Sequence, residues 1–297
     1  MTNKVVRFKS SEYCVDEVTV ASKYILLEKR VKDAYQVTQY LAENLRVFSE
    51  FLEGLPLIIA ESYKGEKIEE DVVYSRHNVP VVSSSTANSL LRGERKYLVY
   101  VSKGGVFVKL NGKELRKARE RMGLSRGALA REVGVSARTI AYYEEGLSDA
   151  TLEIAAKLEE ILGSEIFEAI SVDSLRELTK SGRPSVGSPA KRGRNVEWLI
   201  STLRDFVGER YFFDKAPLDA GFKVSLKTTS KFAIKAGISK EEEVQDVKEL
   251  SEATETPVVI LNNKEEILSE KVIVVDKRRP EKLRDYLSRI MENTRDE

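Results

Sequence analysis

Residues Gly123 to Gly146 read GLSRGALAREVGVSARTIAYYEEG, and the order of residue types in that stretch decides the local fold. Ser125 and Ser136 each stand immediately before an apolar-periodic run, where a hydroxyl can accept from an amide that a helix start leaves unpaired. Gly134 sits between the runs and permits a tight turn. Leu129, Ala130, Val133, Val135 and Ile140 fall where a compact helical unit needs apolar contacts. Working outward, Leu115, Ala118 and Met122 supply a helix before this pair. Thr151 opens another, LEIAAKLEEIL, whose Leu152, Ala155, Leu158 and Leu162 close the core.

The rest of the chain sets the frame. Its 297 residues are 41% hydrophobic and 33% charged, enough for two or three domains with cores of their own. No run approaches the length of a membrane span, and the first residues lack the order of a secretory signal, so a cytoplasmic chain without membrane contact is expected. With one cysteine, Cys14, and one histidine, His77, neither an internal disulfide nor a Cys/His zinc site can be assembled. No metal or cofactor is expected.

Texture divides the chain into four parts. Residues 1–110 alternate short β-rich runs (VVRF, CVDEVTV, YILLEKRV, PLIIA, DVVY) with a long helical pattern from Asp33 to Gly54, and end in a hairpin turning at Gly104-Gly105. Residues 111–178 carry the period of 3.6. The stretch 179–195, TKSGRPSVGSPAKRGRN, has nothing to bury and reads as a basic flexible linker. From 196 to 297 the first texture returns: Pro257-Val-Val-Ile-Leu answers Pro56-Leu-Ile-Ile-Ala, and Val272-Ile-Val-Val answers the Asp71-Val-Val-Tyr strand. Phe232-Ala-Ile-Lys answers Tyr24-Ile-Leu-Leu, each leading into a helix. An extra helix, Val196 to Val207, holds the lone tryptophan, Trp198. The fold class expected is α/β plus all-α, with a helical centre between two diverged α/β copies.

Leu115-Arg116, Arg119, Gly123-Leu124-Ser125, Leu129-Ala130, Val133-Gly134-Val135-Ser136, Thr139-Ile140, Tyr143-Glu144 and Gly146 resemble the five-helix domain of the phage-repressor type, the Cro/C1 or XRE family. The wider layout is similar to the archaeal family of HTH-type transcriptional regulators. The resemblance implies that the helix Ser136 to Glu145 enters the DNA major groove with its first turn nearest the bases. It carries the DNA-binding surface onto Arg126, Ser136, Ala137, Arg138, Thr139, Ala141 and Tyr142. Arg138 is the candidate for a bidentate contact to guanine, against a phosphate contact or a solvated charge. Tyr142 and Tyr143 are alternatively core aromatics. Where the family commonly opens the second helix with glutamine, this sequence has Arg126, which can reach the same phosphate and adds charge.

Charge is distributed to match. From Lys113 to Gly146 eight basic residues face five acids, although the whole chain carries a formal charge of only +1. The linker adds five cations and no acid, while Asn195 to Glu297 holds 18 basic and 21 acidic residues. A domain that touches phosphates needs only its own face positive.

The expected function is therefore that of a sequence-specific, double-stranded-DNA-binding transcription regulator, not an enzyme. The α/β blocks would pair subunits into a homodimer or sense a ligand, since one helix-turn-helix reads few base pairs. Two alternatives stand beside it. A coactivator would use the helical domain on the transcription machinery and bind DNA weakly. A nuclease would use the β-β-β-α-β order of the flanking blocks, which resembles restriction-endonuclease folds, with an Asp on one strand and Glu-x-Lys on the next. Here Asp16 is followed by Glu28-Lys29-Arg30, with Arg where Lys is needed, and Asp219 by Ala233-Ile234-Lys235, without the acid. His77 in SRHNVP has no nucleophile patterned beside it, and Ser83 to Thr86 reads as a helix N-terminus.

Overall fold

β-Branched runs become strands in both α/β blocks, and the runs of period 3.6 become helices. The computed structural model of the chain describes residues 3–22, 24–179, 208–225, 229–238, 240–262, 266–276, 278–279 and 285. Most of the linker and the helix expected at Val196 to Val207 lie outside the described residues.

Contacts group the chain into two units whose limits differ from the sequence boundaries. One holds the described residues of 1–30, 38–57 and those after 207; the other holds 31–37 and 58–179. The chain changes unit inside two strands, so the N-terminal block is divided between them.

In the first unit, β1 (Lys4–Arg7), β2 (Glu17–Val20) and the start of β3 (Ile25–Asp33) form an antiparallel meander, followed by α1 (Gln39–Leu52) and the start of β4 (Leu55–Tyr63). After the linker the same order recurs: β11 (Gly208–Phe212), β12 (Ala220–Ser225), β13 (Thr229–Lys235), α8 (Glu241–Thr254) and β14 (Val258–Asn262). β14 runs parallel to β13 and to β16 (Val272–Asp276), whose other edge pairs antiparallel with β15 (Glu266–Ile267).

In the second unit, β4 pairs parallel with β7 (Val79–Val82), and β7 pairs antiparallel with β6 (Val72–Arg76). The order of elements is alike in the two copies, but one equivalence differs from the sequence match. By pairing, the Val272 strand answers β7 and not the Asp71-Val-Val-Tyr strand, because it is β7 that lies parallel to the strand after the helix. Asp33 does not open α1. Its carboxylate accepts from the amides of Tyr35, Lys64 and Gly65 and caps a single 3-10 turn, and Thr38 takes over as the N-cap of α1.

The second unit continues through β5 (Glu66–Lys67), α2 (Ser84–Leu91), β8 (Val99–Ser102) and β9 (Gly105–Val108). His77 and Asn78 form the two-residue turn between β6 and β7, both at positive φ (49° and 61°), as a tight hairpin requires. The second hairpin turns at Lys103-Gly104, one residue before the expected pair, since Ser102 and Gly105 are already in register.

Four α-helices then enclose a core: α3 (Gly112–Arg121), α4 (Arg126–Val133), α5 (Ala137–Glu144) and α6 (Leu152–Leu162). Between α5 and α6 the two-residue strand β10 (Ala150–Thr151) pairs with β9. A 3-10 turn at Ser164–Ile166 completes this core, and α7 (Val172–Thr179) packs against β7. Leu115, Ala118, Leu129, Ala130, Val133, Ile140, Ala155, Leu158 and Leu162 are buried as expected. Met122 (57% exposed) and Leu152 (51%) are not, because each stands at a helix end where the apolar stripe has run past the core.

The hairpin and the helices are joined by one acid. Asp149 accepts from the Leu110 amide at 3.1 Å, from Tyr100 Oη at 2.8 Å and from Lys109 Nζ at 3.2 Å, and its side chain is 8% exposed. Asp149→Ala leaves three donors unanswered in a buried place. We expect it to lower unfolding free energy by about 3 kcal/mol in denaturant titration, and a loss below about 0.5 kcal/mol would show that the acid does not join the two elements.

Candidate nucleic-acid interface

α5 is built from its cap inward. Ser136 Oγ accepts from the Thr139 amide at 3.0 Å and lies 2.8 Å from Thr139 Oγ1, which starts α5 cleanly. Ser125 does the same for α4, accepting from Ala128 at 3.0 Å. Gly134, at φ 82°, reverses the chain between the helices, and the Val135 amide returns to Ala130 O, the left-handed glycine that such a helix end favours.

With Ile140 fully buried and Tyr143 5% exposed, α5 has one fixed face, so its other face is fixed too. Ala137 and Arg138 are exposed in its first turn, and Thr139, Ala141 and Tyr142 are half-buried beside them. Arg138 lies along the helix: Nε donates to Tyr142 Oη at 2.6 Å, and the guanidinium stands 5.2 Å from the ring centroid, within cation–π range. Of the two tyrosines, Tyr143 belongs to the core and Tyr142 only in part.

Arg126 has a partner that sequence reading missed. The Glu144 side chain, 1% exposed, receives Arg126 Nε at 2.8 Å on one oxygen and Arg119 Nε at 2.5 Å on the other. Arg119 also donates to Leu124 O at 2.8 Å, so one ionic cluster ties α3, α4, α5 and the loop before α4. Among the described residues the Nη groups of Arg126, whose side chain is 41% exposed, take no partner and remain available to an anion. The signal for Glu144 was its spacing: four residues after Ile140, it shares that residue's inward face. A second missed residue is Gly112, where a Cβ would stand 2.5 Å from Glu144 O and 2.6 Å from Tyr143 O; the start of α3 lies directly on the last carbonyls of α5.

The first unit holds the acids of the nuclease alternative. Glu28 is opposite Glu17 across β2 and β3, and Arg30 donates to Glu28 Oε2 at 2.5 Å. Asp16 is bonded instead to Lys29 Nζ at 2.8 Å and to the Arg30 amide at 2.7 Å. Successive strand residues face opposite sides, so Glu28 lies on the side away from Lys29 and its Asp16 partner. Burial pushes the Glu28 carboxyl above its ordinary range, with Arg30 opposing, and its Oε1 has no hydrogen-bond partner among the described residues. In the second copy the Asp219 amide donates to Ile234 O, as the Asp16 amide does to Glu28 O. Structural register therefore matches Ile234 to Glu28 and Lys235 to Lys29, one residue away from the sequence match. Among the described residues no group of three or more His, Cys, Asp or Glu could hold a metal ion.

A capped helix pair with a tight turn and a buried brace defines a helix-turn-helix protein. Residues 115–168 match the helix-turn-helix family and residues 3–96 the PD-(D/E)XK superfamily domain. A protein of Archaeoglobus fulgidus is 35% identical over 208 residues, 70% of this chain and 65% of its own length. One of Methanoregula boonei is 31% identical over 223 residues (73% and 70%), and one of Methanocella arvoryzae 32% over 220 (72% and 68%). Each bears the name "Putative HTH-type transcriptional regulatory protein". The chain spans about two thirds of the length of these relatives. No solved structure matches it. The chain belongs to this archaeal family of HTH-type transcriptional regulatory proteins. No helix among its described residues is long and apolar enough to cross a membrane.

Burial works to raise the Glu144 pKa, but hydrogen bonds from Arg119 and Arg126 prevail and hold it below the usual carboxylate range. A depressed folded-state pKa gives stability that is complete above the unfolded value, about 4.3, and is lost as pH falls through the folded one. In thermal melts from neutral pH down to pH about 2, Glu144→Gln is expected to remove part of the acid-induced fall in Tm. An unchanged slope would mean that the cluster does not couple to folding.

Proposed function

We propose that the chain binds double-stranded DNA sequence-specifically as a transcription regulator, with α5 in the major groove. The observation that carries this reading is the capped first turn of α5, which presents Ala137 and Arg138 to solvent while Ile140 and Tyr143 anchor the opposite face. Arg138 has Nε committed to Tyr142, leaving its two Nη groups for the acceptor edge of a guanine. Ala137 offers a methyl to thymine, and Arg126 and Ser136 reach backbone phosphates. The names of the archaeal relatives support the regulatory role. A homodimer that assembles on DNA, and contacts with the transcription machinery, belong to the same reading. Their support is the general point that one such helix reads few base pairs.

The PD-(D/E)XK-type block serves, on this reading, as a scaffold. Its acids are split between two faces of the sheet and neutralised by Lys29 and Arg30, a poor fit to a divalent ion. Incubation with plasmid and Mg²⁺ or Mn²⁺ is expected to leave the DNA uncut; cutting that Glu28→Gln and Asp16→Asn both abolish would restore the nuclease reading.

Binding to genomic fragments, including the protein's own promoter, tests the regulator reading. Wild type is expected to retain a few fragments near physiological salt. Arg138→Ala should lose about 1–3 kcal/mol of discrimination while keeping nearly the same salt dependence. Uniform binding that vanishes with salt in both proteins would instead favour the coactivator alternative.

A further inference from the structure

The two α/β copies exchange helices within the first unit. α1 lies on β11 and β12 of the second copy, and α8 lies on β1 and β2 of the first. Both helices have 14 residues and end on a left-handed glutamate, Glu53 and Glu255. A lysine of the opposite copy closes each end: Lys223 donates to Glu50 O at 3.0 Å and pairs with Glu53, and Lys4 donates to Glu252 O at 3.4 Å and pairs with Glu255. Cations at helix C-termini are favourably placed.

The equivalences between copies follow from these elements. Helix ends superpose Tyr40 on Glu242 and Phe51 on Ala253. The Phe8 amide donates to Asp16 O as the Phe213 amide does to Asp219 O, which matches Lys9 with Asp214 and Val18 with Gly221.

At these positions the two seams are complementary in opposite senses. In one, Phe51 packs at 5.6 Å from the rings of both Tyr211 and Phe213, so close to the strand that a Cβ on Gly221 would stand 2.5 Å from its ring. The other seam has the sizes reversed, with Ala253 for Phe51 and Val18 for Gly221. Tyr40 Oη donates to Asp214 at 2.9 Å in the first; Glu242 faces Lys9 at 3.8 Å in the second.

We infer that these reversed pairs specify first copy against second copy within one chain and close this face to pairing between like copies of two chains. Two first copies would set Phe51 against Val18, where no glycine makes room. Two second copies would set Glu242 against Asp214, like charge on like, and leave Ala253 over Gly221 with a void. A swap of copies between chains satisfies the same residues, but copies joined in one chain meet without the cost of bringing in a second chain from dilute solution. The block face is thus occupied internally, and each chain brings one helix-turn-helix; only this last consequence rests on the DNA-binding reading.

The test uses the full chain without DNA, so its failure leaves that reading standing. Light scattering at micromolar concentrations is expected to give the monomer mass. A stable dimer whose strength Asp214→Lys changes overturns the proposal, since loosening would mean copies swapped between chains and tightening would mean second copies paired with each other. Gly221→Val should lower Tm by more than about 5 °C, and adding Phe51→Ala, which rebuilds the Ala/Val pair of the other seam, should recover part of that loss. A double variant no more stable than Gly221→Val alone counts against the reversed pairing. Should Gly221→Val fail to fold, the milder cycle decides. Lys9→Asp sets acid against Glu242 and lowers Tm, and Glu242→Tyr, which recreates the Tyr/Asp pair, restores it; strictly additive losses would overturn the proposal.

Discussion

One buried carboxylate fixes the geometry of α5. Glu144 gives up water almost completely, a loss that costs several kcal/mol for an isolated ion, and the cost is offset only because two guanidiniums meet its two oxygens. Those guanidiniums come from α3 and α4, so the acid at the end of α5 can be satisfied only when all three helices are in place. Arg119 adds a bond to Leu124 O and thereby holds the loop in which α4 begins. Gly112 removes the Cβ that would keep α3 off the last carbonyls of α5. Hydrophobic contacts through Leu129, Val133 and Ile140 supply the bulk of the burial, and the ionic cluster makes one arrangement of those contacts preferable to its neighbours. The exposed side of α5 follows from the way its other side is held.

Much of this unit was legible because its signals are local. Ser125 and Ser136 cap the helices they precede, Gly134 takes the left-handed turn, and the apolar spacing places Ile140 and Leu158 inside. The likeness of the two copies' element order was legible for a similar reason, since each has a proline-led hydrophobic run after its helix. The failures share a cause. Glu144, Gly112 and Asp149 act through partners 18 to 49 residues away, and no window of sequence shows such a pairing. Asp33 reads as a helix cap by itself, yet the amides of Lys64 and Gly65 draw its carboxylate elsewhere. The nuclease-type acids were misaligned by one residue, and in a strand one residue is the whole difference between the two faces.

That register gives the Asp–Lys pairs a structural sense. Asp16 with Lys29 (2.8 Å) and Asp219 with Lys235 (3.7 Å) occur in both copies, whereas Glu28 has become Ile234. In each copy the aspartate also accepts the amide after the lysine, Arg30 or Ala236. An acid that staples two strands through a backbone bond keeps its value when no chemistry is performed, while an acid aimed at a reacting group does not. Burial raises the Asp219 pKa, with Lys235 opposing, so the staple is held in a place where a lone charge would be costly. The pair is kept in the copy that lacks the second acid, so the Asp–Lys staple does not depend on Glu28.

The near-neutral charge of the whole chain and the exposed cation on α5 are reconciled by which charges are already paired. Of the eight cations between Lys113 and Gly146, Arg116, Lys117, Arg119, Arg121 and Arg126 are bonded to carboxylates. Among the described residues Lys113, Arg131 and Arg138 have no such partner. Paired charges contribute little field beyond a Debye length, whereas unpaired ones act on a polyanion at full strength. Arg138 is the unpaired cation on the exposed face of α5, steadied by Tyr142 Oη without being neutralised. A neutral partner restrains the side chain and leaves its charge intact; an acid at position 142 would have done the first and cancelled the second.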